Sequence, residues 1–174
     1  VTLDQKVNNI QNGSVTVTVP ANGGNIGSLK ASSASKITSD ATLRADKFTI
    51  DASSAAKIEA SVEATSCSIG SSSASKVSAE VKAVTCTVDA SSASKITLTG
   101  SAENFKADLS SASKLDASKF TAVNASIDTS SAASVTIDCS GKLTASASSG
   151  SSIRYTGDCQ TSLSKSSGGS VRKN

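Results

Sequence analysis

Histidine, tryptophan and methionine are absent from this chain of 174 residues. Without histidine, a serine or cysteine nucleophile has no ordinary base, and a zinc site has no imidazole. Aromatics make up only 2% of the residues, and Pro20 is the single proline. Large rings normally dominate a core, so this one must be thin and filled by Ala, Val and Ile. No apolar run approaches the roughly 18 residues that a membrane-spanning helix needs. The net charge of +3 is too small to point to nucleic acid. No Gly-x-x-x-x-Gly-Lys loop is present to cradle a phosphate. The 14 acidic residues are spread thinly, without the clustering that a hard cation requires. None of the four cysteines forms a close Cys-x-x-Cys pair.

What the chain does have is a repeat. Ser91-Ser92-Ala93-Ser94-Lys95-Ile96 recurs as Ser32–Ile37, Ser53–Ile58, Ser72–Val77, Ser110–Leu115, Ser130–Val135, Ser148–Ile153 and Ser166–Val171. Its fifth position falls at 36, 57, 76, 95, 114, 134, 152 and 170, in steps of 18 to 21 residues. A near-constant period of that size marks a stacked architecture. A Ser/Ala-rich composition can also signal disorder. A disordered chain, however, has no reason to keep Ile or Val in register at every repeat.

Aligning the repeats exposes columns. Nine residues before the fifth position come Phe48, Cys67, Cys86 and Phe105; seven before come Ile50, Ile69 and Val88; one after come Ile58, Val77 and Ile96. Steps of two put these side chains on one face of a strand. The Ser-Ser-Ala-Ser between the strands is small enough for a tight corner. Glycine enters the last corners as Gly150 and Gly168-Gly169, as expected where alanine strains to adopt the backbone. Such a coil is too short for a propeller blade, and it lacks the scaffold of a leucine-rich repeat. The period therefore predicts an all-β fold: a right-handed, single-stranded parallel β-helix of about seven or eight rungs of ~19 residues. Residues 1–25, with alternation over Ser14–Val19, are expected to form an N-terminal strand or cap, and residues 26–174 the helix, as one domain. Val1 in place of Met suggests a processed form.

Stacking has surface consequences. Lys36, Lys57, Lys76, Lys95 and Lys114 should form one ladder, in which like charges repel at neighbouring-strand distance. Asp51, Asp89, Asp108 and Asp128 are the expected counter-charge across the corner. The simplest role of the ladder is a solvated face that discourages association; the functional alternative is a basic stripe for an anionic polysaccharide. Cys67 and Cys86 stand one period apart and read as buried small hydrophobes. Cys139 and Cys159, also about one period apart, are the candidate disulfide, favoured by an oxidising compartment.

With the repeat laid out, the chain resembles a bacterial family common in Bacteroidota, the putative auto-transporter adhesin, head GIN domain. The resemblance rests on the repeated Ser-x-Ala-Ser-(Lys/Ser)-(Ile/Val/Leu), on Leu98-Thr99-Gly100-Ser101-Ala102-Glu103-Asn104-Phe105, on Leu115-Asp116-Ala117-Ser118, and on Gly13–Pro20. The family's motif glycine is serine here, as at Ser33, Ser54, Ser73, Ser92 and Ser111. Family members usually carry a further N-terminal portion, so the chain is expected to be a fragment. The resemblance implies a β-helical fold and a secreted, periplasmic or outer-surface location after a lipoprotein-type signal. It supplies no catalytic residues.

The expected function is thus a non-enzymatic cell-envelope or secreted module, structural or adhesive, without cofactor, catalytic or metal site. An extracellular glycan or matrix protein is the expected kind of partner; nucleic acid is not. End-to-end or edge association is the expected mode of assembly, because the ends of a β-helix expose unpaired backbone. The alternative is a carbohydrate-active enzyme, since stacking can set two acids ~5–9 Å apart. Such enzymes build clefts from long loops, for which these repeats leave no room. An ice- or mineral-binding face would need a regular threonine ladder. Thr38, Glu59, Ser78, Thr97, Asp116, Thr136 and Arg154 are too mixed for one.

Overall fold

The structure is a computed structural model that describes Thr18 and residues 26–174. The expected strand at Ser14–Val19 and the cap over 1–25 lie outside the described residues, Thr18 apart.

Among the described residues ten strands follow one another: β1 Ser28–Ala31, β2 Lys36–Ala52, β3 Lys57–Ser71, β4 Lys76–Ala90, β5 Lys95–Leu109, β6 Lys114–Thr129, β7 Ser134–Ala147, β8 Ser152–Thr156, β9 Gln160–Lys165 and β10 Ser170–Lys173. All pair in parallel. The order runs β1 to β8 and then β10, and β9 pairs with β7. This is a β-solenoid of about eight stacked turns, as the period predicts. Strands β2 to β7 each run almost the full circuit of a rung. They are therefore single long bent strands, separated from one another by the Ser-Ser-Ala-Ser corner.

The files read from the sequence are the files of the core. Ile58 lies over Val77, Val77 over Ile96, and Ile96 over Leu115, and all are buried. Phe48, Cys67, Cys86 and Phe105 form a second buried file, and Ile50, Ile69, Val88 and Ala107 a third. Each rung adds a few Å of apolar stack, and burying one Ile or Val contributes about 1.5–3 kcal/mol. A further wall holds Val62, Val81, Gly100 and Phe120 in register. At Gly100 the backbone has φ +108°, and a Cβ would meet the Val81 carbonyl oxygen at 2.2 Å. Phe120 occupies the next rung of that file and packs on Phe105, ring centroids 5.4 Å apart.

The Ser-Ser-Ala-Ser corner is a turn with positive φ at both central residues, for example 53° at Ser92 and 59° at Ala93. The Ser94 N–H donates to the Ser91 carbonyl at 3.2 Å and closes it. That pair of left-handed residues belongs to a type I′ turn, normally the province of Gly and Asn. The corner stays in the ladder all the same. Ala93 N–H donates to the Ser111 carbonyl of the following rung, and Lys95 N–H to the Ser75 carbonyl of the preceding one. Beneath the turn, the buried Ser75, Ser94, Ser113 and Ser151 hydroxyls donate to the Ala52, Ser71, Ala90 and Thr129 carbonyls at 2.9–3.0 Å. The same carbonyls also accept a backbone N–H, using both lone pairs. The cross-rung bonds hold the strained backbone in place.

Candidate functional site

The repeated corner projects one outward side chain on each of its flanks, and these two files are the most strongly patterned part of the surface. On the strand leaving the corner, Lys36, Lys57, Lys76, Lys95 and Lys114 stand in register over five rungs. The file ends at Ser134 and Ser152. On the strand entering the corner, Asp51, Gly70, Asp89, Asp108, Asp128 and Ser146 form the matching file. Both files follow from the period alone, because parallel pairing sets residues one repeat apart about 4.8 Å from each other.

The expected pairing of the two files across the corner does not occur. Lys36 and Lys57 both bridge to Glu59, at 3.2 and 2.6 Å, on their own side of the turn. Hydrogen bonds from Lys57 and then Lys36 hold the Glu59 carboxyl below its usual range. Asp51 pairs with Lys30, and Asp108 with Lys106 at 3.1 Å. Lys76, Lys95 and Lys114 have no ion-pair partner among the described residues, and neither do Asp89 and Asp128. The file residues that do pair take a partner on their own strand or on the neighbouring rung: Glu59, Lys30 and Lys106.

The acidic file lines a shallow groove of about 710 Å³ that runs along the rod. Its walls are Asp51, Asp89, Asp108 and Asp128 on one side and the first corner serines, such as Ser72, Ser91 and Ser110, on the other. Lys106 pairs with this aspartate wall; its ammonium is stabilised by Asp108 and, more weakly, by Asp128 and Asp89. The groove was not evident from the sequence. The aspartate column was its only signal, and that column reads equally well as counter-charge for the lysines.

Other polar groups are tied into rung-to-rung contacts. Asn124 donates to the Asn104 side-chain oxygen at 3.2 Å. Asp138 accepts from Thr121 and Thr156, at 3.1 and 3.0 Å. Asp116 accepts from the Ser118 hydroxyl and N–H, which lower its carboxyl. Among the described residues, no three His, Cys, Asp or Glu side chains gather as a metal site, and no helix is long and apolar enough to cross a membrane.

All four cysteines carry free thiols. Cys67 and Cys86 are stacked in the core, and the neighbouring Cys67 together with burial pushes the Cys86 thiol up. Cys139 is buried and Cys159 half-buried. The Cys139 thiol donates to the Val123 and Lys142 carbonyls at 3.5 and 3.4 Å. Burial and the adjacent Cys159 push it up to about 11. The candidate pair thus lies close enough for one thiol to act on the other.

The sequence of residues 1–159 matches the family described as putative auto-transporter adhesin, head GIN domain. The chain belongs to that family. No curated protein matches it by sequence. Its fold is that of a putative adhesin from Parabacteroides merdae ATCC 43184, with TM-score 0.80 at 19% identity, covering 84% of this chain and 63% of that one. A putative adhesin from Parabacteroides distasonis ATCC 8503 gives TM-score 0.80 at 16% identity, covering 86% and 64%. A putative lipid binding protein from the same organism gives 0.73 at 13% identity, covering 86% and 62%. The chain thus spans under two thirds of the length of each of these structures. At such identities the likeness is one of fold.

Proposed function

We propose that this adhesin-family domain is a non-enzymatic, rigid rod of the cell envelope, displayed at the outer surface or in the periplasm, with an adhesive or structural role. The observation that carries this reading is the unbroken register from β3 through β5. Each rung places its outward residues level with those of the next, and at the lysine position the residue itself is repeated. The result is a set of long polar files with no inserted loops to build a deep cleft. A rod of that kind offers an extended, multivalent face. The lysine file is the face suited to an anionic extracellular glycan or an acidic matrix protein. The three ammonium groups without an ion-pair partner among the described residues, Lys76, Lys95 and Lys114, can follow a linear polyanion at rung spacing, with an affinity that falls as salt rises.

The test is a binding screen against immobilised glycans and extracellular-matrix proteins, repeated with a Lys76→Ala/Lys95→Ala/Lys114→Ala variant. Binding of sulfated or uronic-acid glycans that the variant loses supports the adhesive role. A complete absence of binding across both panels removes that role and leaves the structural one.

One observation favours a second reading, cleavage of a glycan: three carboxylates, Asp89, Asp108 and Asp128, stand in one groove. Adjacent rungs put them near the ~5 Å at which retaining glycosidases hold their pair. Release of reducing ends from a polysaccharide panel, lost in Asp108→Asn, would establish that reading against the first.

A further inference from the structure

The two charged files have a relationship that neither has alone. Lys76, Lys95 and Lys114 stand exposed on one flank of the corner, without an ion-pair partner among the described residues. Asp89, Asp108 and Asp128 wall the groove on the other flank, and only Asp108 is paired, to Lys106. Both files climb the rod by the same step, because the same rungs carry them.

We propose that this corner is a self-docking surface, and that its occupant is a second copy of this chain lying alongside with its rod parallel. A foreign partner would have to reproduce the pitch of the files; a second copy matches it by construction. Symmetry selects the orientation. With the lysine file on one side of the corner and the aspartate file on the other, a two-fold axis along the rod sets each lysine file against the partner's aspartate file. A two-fold axis perpendicular to the rod would set lysine on lysine, which repels. The parallel arrangement is isologous and therefore closes as a dimer. The groove beside the corner gives the partner's corner a place to sit. Single exposed ion pairs contribute little, so the dimer is held by repetition along the rod and weakens with salt. The inference goes beyond the adhesive role. It is tested with no glycan present, so its failure would leave that role untouched.

Sedimentation velocity on the full chain, from about 20 mM to about 500 mM NaCl, reads the association directly. The expected result is a dimer at low salt whose dissociation constant rises at least about tenfold across the range. Lys76→Glu/Lys95→Glu/Lys114→Glu and Asp89→Lys/Asp108→Lys/Asp128→Lys should each be monomeric alone and form a mixed dimer when combined. Spin labels at Val84→Cys, Glu103→Cys or Val123→Cys, on an exposed corner away from the interface, placed in a Cys159→Ser background so that the accessible native thiol takes no label, report orientation even where the charge variants fold poorly. A parallel pair gives three similar inter-label distances; in an antiparallel pair the labels step apart along the rod by about 10 Å per rung. A wild-type monomer at low salt, dimers that survive charge reversal, or unequal label distances would each overturn the proposal.

Discussion

Asp89 and Lys95 belong to the same rung and flank the same turn, yet no ion pair joins them; each stacks instead on a residue of its own kind, Asp108 and Lys114. The chain places like charges above one another because parallel register outranks local charge pairing. Backbone hydrogen bonds and buried Ile or Val fix that register rung after rung, whereas an exposed ion pair contributes about 0–1 kcal/mol.

The corner should tolerate glycine better than the residues it has. Ala93 and Ser92 hold φ of 59° and 53°, where a side chain costs roughly 1–2 kcal/mol that glycine avoids. Ala93→Gly and Ser92→Gly should each stabilise the fold by about 1 kcal/mol in urea unfolding, less whatever entropy the unfolded glycine regains. A loss of stability in both would mean that the corner backbone is unstrained.

The buried corner serine should matter less than a core residue. Ser94→Ala removes the hydroxyl that donates to the Ser71 carbonyl, but that carbonyl keeps the Ser91 N–H. The expected cost is about 1 kcal/mol, and Ala56 and Ala133 already fill the equivalent place. Ile96→Ala, in the fully buried file, should cost about 2–5 kcal/mol. Equal effects from the two substitutions would contradict the division between corner and core.

Thiol reactivity should follow burial. Cys159 is the most accessible of the four cysteines and should react first with a disulfide reagent in the folded protein. Cys139, raised to about 11, should lag behind, and Cys67 and Cys86 should react only on unfolding. With glutathione disulfide as oxidant, Cys159 and Cys139 should couple, each thiol losing its hydrogen and the oxidant being reduced to two glutathione thiols. Peptide mapping that finds 139 joined to 159 supports the pairing; a stable mixed disulfide on Cys159 alone would refute it.

Acid should act on the foot of the lysine file. Glu59 has a folded pKa lowered from 4.5 by Lys57 and then Lys36. A lowered folded pKa contributes stability that is present above the ordinary value and is lost as pH falls through the folded one. Carboxyl NMR titration should therefore show a Glu59 midpoint below 4.5 in the wild type and a return toward that value in Lys57→Met. An unchanged midpoint in the variant would mean that the Lys57 contact does not persist in solution.

Much of this was legible before any coordinates. The spacing of Ile58, Val77, Ile96 and Leu115 sufficed to name the fold, the inward files and the lysine stack. Parallel winding turns sequence period into spatial adjacency, so the repeat is itself a contact list. The wall of Val62, Val81, Gly100 and Phe120 was harder to read. Ala117-Ser118-Lys119 adds a residue to its rung and shifts the pairing between β5 and β6, so Phe120 falls out of simple alignment while remaining buried.

Winding and period were settled by composition and spacing, since both depend on which residues can share a narrow core. Direction was settled in three dimensions. Whether Asp89 pairs with Lys95, and whether the aspartates make a wall or a counter-charge, depend on the angle through which a turn of left-handed residues swings the chain. That angle is set by backbone bonds between rungs, which no single repeat contains.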